Sequence, residues 1–124
     1  MHLKSILQKV ASGWFRKVNN MNILGTEYTF EHNTPLLNDM RADGICQKYN
    51  KRIAVREVAD MLEDDDNLEA KKIRYNEVCR HEVIHAFLGE AGLENYNNDE
   101  TLVAFLSANF PKMVKIFAEN GWLE

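Results

Sequence analysis

Apolar positions recur along the chain with two periods. Leu3, Ile6, Leu7, Val10, Trp14 and Val18 are three or four residues apart, and they predict an amphipathic helix over residues 1–20 that Gly13 weakens. Such a helix packs on its own domain or, being basic, docks on a membrane or a partner. From residue 22 the pattern becomes strand-like. Ile23, Leu24, Tyr28 and Phe30, with Thr26 and Thr29, predict a strand over residues 22–32. Residues 34–44 begin and end in turn signals. Residues 45–48 then read as a short strand, Tyr49-Asn50-Lys51 as a turn, and residues 52–57 as a returning strand in which Ile53 and Val55 alternate with Arg52, Ala54 and Arg56. These segments predict a small antiparallel sheet of about three strands.

The second half is helical. Glu63-Asp64-Asp65-Asp66-Asn67 clusters carboxylates that could attract a cation, but acids and Asn also suit the positive end of a helix, and a solvated capping loop is expected. A long helix is predicted from Leu68 to about Glu90, stopped by Gly89 and Gly92. A second is predicted over residues 99–108, with Asn97, Asn98 and Asp99 as candidate caps. A third is expected to begin at Pro111 and end near Gly121. The expected fold class is α+β: the sheet packed on the long helix and those after it, with residues 1–20 an extension and residues 21–124 the domain.

Composition narrows the class. The chain has 124 residues, 45% hydrophobic and 27% charged, which suits one globular domain rather than a disordered or fibrous chain. Its apolar runs are far short of the roughly 20 residues of a membrane span, so no transmembrane segment is expected, and no secretory signal is visible. Two isolated cysteines, Cys46 and Cys79, fit small buried thiols and a cytoplasmic protein. The net charge of −4 argues against nucleic acid as a partner. The charge is uneven. Residues 1–20 hold Lys4, Lys9, Arg16 and Lys17 and no acid, which leaves 11 bases against 19 acids, or −8, in the rest.

The candidate chemistry lies in the long helix, at His81-Glu82-Val83-Ile84-His85. One turn is 3.6 residues, so His81 and His85 project from one face and can reach a single zinc ion. Glu82 follows the first histidine and is placed to take a proton from a metal-activated water. Two ligands leave a catalytic zinc incomplete. His2 and His32 are the only other histidines, and Leu88 and Ala91 stand where the longer motif with a third His needs Gly and His. A carboxylate is therefore expected as third ligand. Glu100, with 14 residues between it and His85, is the first candidate and Asp99 the second.

These features resemble the gluzincin branch of zinc metallopeptidases, of which thermolysin is a large member. The run from Arg80 to Leu88, then Glu90-Ala91-Gly92-Leu93 and Asn98-Asp99-Glu100, is more closely similar to small phage and prophage proteins of the minigluzincin-like kind. The resemblance covers about residues 21–124. Ile23-Leu24-Gly25-Thr26-Glu27-Tyr28-Thr29 looks like their first strand and Gly44-Ile45-Cys46 like their central turn. It implies zinc held by His81, His85 and Glu100, Glu82 as general base, and a phage or prophage origin. One position departs. Thermolysin-like enzymes place an Asp four residues after the ligand Glu to orient a histidine, and Ala104 stands there.

The reading that follows is a zinc-dependent hydrolase cleaving peptide bonds. Tyr49 and Tyr96 are candidate oxyanion donors, and the strand over residues 52–57 could offer an edge to an extended peptide. The alternative is a non-catalytic zinc-binding protein that contacts a host or phage protein through residues 1–20 or Trp122. Either way the partner is a peptide or protein.

Overall fold

The computed structural model describes residues 20–62 and 67–124. The helix expected over residues 1–20 lies outside the described residues, apart from Asn20, which opens a strand. Residues 63–66 of the acidic run lie outside them too.

The fold is α+β, as expected, but the sheet has four strands and is mixed. Strand β1 (Asn20–Ile23) and β2 (Thr26–His32) form an antiparallel hairpin where one strand is predicted over residues 22–32. The reversal is at Leu24 and Gly25, both at positive φ, 50° and 90°. Such a two-residue turn matches strand twist but usually takes Asn or Gly first, so Leu24 gives no turn signal. The Asn22 side chain holds the turn by accepting from Gly25 N at 2.7 Å.

Helix α1 (Thr34–Met40) follows. Asn33 caps it by accepting from Leu36 N, Pro35 stands in its first turn, and Arg41 ends it in the left-handed region at φ 53°. Strands β3 (Gly44–Gln47) and β4 (Arg52–Val55) then pair antiparallel around the predicted turn. The order is β1-β2-β4-β3, and β2 runs parallel to β4. A parallel pair needs a crossover rather than a tight turn; α1 and β3 supply it. Arg56 fixes that crossover. Buried, it donates to Ala42 O at 2.8 Å, Leu37 O at 3.1 Å and Asn38 Oδ1 at 2.6 Å, so the end of α1 is tied to the sheet.

Helix α2 (Leu68–Glu90) has the predicted bounds. Asn67 caps it by accepting from Glu69 N at 2.9 Å and Ala70 N at 3.4 Å. Its buried residues are Val78, Glu82, Ala86 and Gly89, one stripe at helical spacing. That stripe meets Ile23, Tyr28, Ile53 and Val55 of the sheet, with Met61 beside them. Each large apolar side chain buried there contributes about 1.5–3 kcal/mol. The two cysteines are free thiols packed against this core.

A one-turn helix α3 (Glu94–Asn97) precedes α4 (Glu100–Glu119). Helix α4 is continuous where two helices are predicted, and Pro111 lies inside it. A proline there removes the helix bond to the carbonyl four residues back, that of Ser107. Arg80 Nε donates to that same carbonyl at 2.7 Å, so the acceptor is satisfied from another helix. By length and composition α4 could cross a membrane, but its residues Val103 and Ser107 are buried in the protein. Residues 19–108 form one compact unit and residues 109–124 belong to a second. In the latter, Trp122 N donates to Phe117 O at 2.8 Å, and Phe110, Ile116, Phe117 and Trp122 are exposed.

Candidate metal centre

Helical spacing places the two motif histidines together. The rings of His81 and His85 lie 4.9 Å apart and inclined at 67°. The loop after α2 returns the chain through α3, and the first residue of α4 closes on both rings. Glu100 Oε2 is 3.2 Å from His81 Nε2, and Glu100 Oε1 is 3.1 Å from His85 Nε2. Asp99 is not part of the cluster; its carboxylate accepts from Leu102 N at 3.1 Å and caps α4. One residue of register thus separates cap from cluster.

The other ring nitrogens are also engaged. Asn97 Oδ1 lies 2.6 Å from His85 Nδ1. An amide oxygen only accepts, so His85 carries its proton on Nδ1. Ser107 Oγ donates to Val103 O at 2.5 Å and lies 3.2 Å from His81 Nδ1, so its remaining lone pairs can accept a hydrogen bond from that ring. Neither partner was foreseen. Asn97 stood only as a candidate cap. Ser107 carried one signal: with Glu100 and Val103 it falls on a single face of α4, a polar residue two turns beyond the carboxylate. Ala104 lines a cavity of about 240 Å³ beside His81 and Glu82.

A neutral imidazole has one ring proton. A proton at Nδ1 of each ring leaves both Nε2 lone pairs facing the oxygens of Glu100. Three acceptors in this arrangement repel one another unless a cation lies among them. Atoms about 2.0–2.1 Å from a tetrahedral ion stand roughly 3.3 Å apart, close to the two His–Glu separations of 3.2 and 3.1 Å. His81, His85 and Glu100 can therefore hold a metal ion. Burial lowers the His81 pKa, and the neighbouring His85 lowers it further, which keeps its lone pair available.

Glu82 is the polar member of the buried stripe on α2, only 7% exposed. Burial pushes its carboxyl up to about 7, with nearby Glu100 adding to the rise and His85 opposing it. A cavity of about 380 Å³ joins Glu82, His81, His85, Glu100 and Asn97 to Gly44, Ile45, Cys46 and Lys48. Strand β3 therefore forms one wall. The strand that could receive a peptide is β3, at the sheet edge, and not β4, which is paired on both sides. Tyr49 and Tyr96 are 90% and 55% exposed and do not line this cavity.

No family model, curated protein or solved structure matches the chain.

Proposed function

We propose that the protein is a zinc-dependent metallopeptidase, with zinc held by His81, His85 and Glu100 and with Glu82 as general base. The observation that carries this reading is a buried carboxyl, raised to about 7, beside three converging metal-binding acceptors. A site that only stabilises a fold has no use for such a group, whereas a general base works best with a pKa near the working pH. Two imidazoles and one carboxylate suit zinc and leave a fourth position open. Zinc bound there supplies a Lewis acid that acidifies water and polarises a carbonyl. Glu82 takes the proton of the attacking water and delivers it to the leaving amine. The outer edge of β3, which no strand pairs among the described residues, suits an extended peptide, which would add as a further strand along the cavity wall.

The alternative keeps the same metal but uses it to hold a binding protein together. Exposed Phe110, Ile116, Phe117 and Trp122 favour it. One experiment tests both readings. Purified protein is expected to carry one zinc per chain, and Glu82→Gln to keep that zinc while losing peptide hydrolysis. Unchanged zinc content in Glu100→Ala defeats the ligand assignment. Biological activity retained in Glu82→Gln favours the binding protein.

A further inference from the structure

We propose that Ser107 is the positioning residue for His81, fixing which ring nitrogen holds the proton and so which one is free for a metal. This rests on the reading of His81 as a ligand. Ser107 is fully buried. Its hydroxyl proton is committed to Val103 O at 2.5 Å, a bond back along its own helix, so the oxygen is left as an acceptor for His81 Nδ1 at 3.2 Å. The residue is also held from outside its helix. Pro111 has no N–H to offer the Ser107 carbonyl, and Arg80 Nε occupies that carbonyl at 2.7 Å. Two consecutive residues of the motif helix, Arg80 and His81, thus grip the carbonyl and the hydroxyl of one serine. The grip fixes the register of α4 against α2, and the same register brings Glu100, two turns earlier, onto His81 and His85. The proline that would ordinarily weaken α4 here frees the acceptor that joins the two helices.

The arrangement predicts a tautomer as well as an affinity. Metal-free, full-length protein labelled with ¹⁵N is examined by long-range proton–nitrogen correlation at mildly alkaline pH. His81 is expected to carry its proton on Nδ1 in the wild type and to become a tautomer mixture in Ser107→Ala. Cobalt(II) affinity of that variant, read from the visible spectrum, is expected to fall about tenfold or more, as it does when a ligand histidine loses its partner. Ser107→Thr, which keeps the hydroxyl, is expected to retain the wild-type tautomer.

An Nε2-protonated His81 in the wild type overturns the proposal, whether or not metal binds and whether or not the variants fold. So does a Ser107→Ala protein with unchanged tautomer and unchanged cobalt affinity. Failure of the underlying metal reading has a separate signature: Glu100→Ala that binds cobalt as the wild type does.

Discussion

The side-chain oxygen of Asn97 stands 2.6 Å from Nδ1 of His85, from a one-turn helix that lies between the motif helix and the helix bearing Glu100. The contact favours a proton on Nδ1 of His85 and leaves Nε2 facing Glu100 Oε1 at 3.1 Å. Asn97→Ala is expected to lower zinc affinity by about 10- to 100-fold. Asn97→Asp keeps an acceptor, adds charge, and is expected to bind at least as tightly as the wild type. Competition against a chromophoric chelator measures both; equal affinity in the alanine variant would remove Asn97 from the site.

Glu82 makes the stability of the metal-free protein depend on pH. Its folded pKa, about 7, lies above the ordinary 4.5. The native state therefore keeps a proton that the unfolded chain has lost between those values. Its stabilising contribution is complete below about pH 4.5 and is lost as pH rises towards about 7, a difference on the order of 3 kcal/mol. Urea unfolding of chelator-treated protein is expected to show that fall. Glu82→Gln should flatten it and stabilise the protein most on the alkaline side. A variant whose pH dependence parallels the wild type would mean that Glu82 is not buried as a neutral acid.

The parts legible in the sequence are those set by local periodicity. His81, Glu82, His85 and the bounds of α2 follow from 3.6-residue spacing, an Asn cap and flanking glycines, and Glu100 follows from loop length. What escapes depends on distant partners. The β2–β4 parallel pair joins strands with α1 and β3 between them, so no local pattern announces it. The hairpin turn hides behind Leu24, a residue rarely found at positive φ, and is held by the Asn22 side chain accepting from Gly25 N. Pro111 reads as a helix start until Arg80, 27 residues before Ser107, is seen to take the orphaned carbonyl. The ring partners Asn97 and Ser107 escape for the same reason, because each acts on a histidine of another helix.

The two thiols give a chemical test of the core. Burial pushes Cys46 up to about 12 and Cys79 up to about 11, with Glu82 adding to both rises. Only the thiolate is a good nucleophile, so both are expected to react slowly with iodoacetamide under native conditions near neutral pH. Both should label rapidly in denaturant. Mass spectrometry after brief labelling measures this, and fast native alkylation of Cys46 would show that its thiol is not packed against the core.

Gly44, the first residue of the edge strand β3, lies directly against the motif helix. A methyl group there would lie 2.7 Å from Val78 Cγ1 and 3.0 Å from Glu82 Cγ, with Glu82 Oε2 at 3.3 Å. The first distance is shorter than side chains tolerate, and Val78 is locked in the core between α2 and the sheet. Gly44→Ala must therefore push β3 outward or turn Val78 from its rotamer, at a cost of about 1–3 kcal/mol. None of the three metal-binding side chains is in the clash. The variant is accordingly expected to unfold at lower denaturant concentration while keeping its zinc, and to lose peptide hydrolysis because the cavity wall has moved from Glu82. Unfolding curves, metal content and turnover read the three effects separately. A variant that loses zinc with its stability unchanged would place Gly44 in the metal site rather than in the packing beneath it.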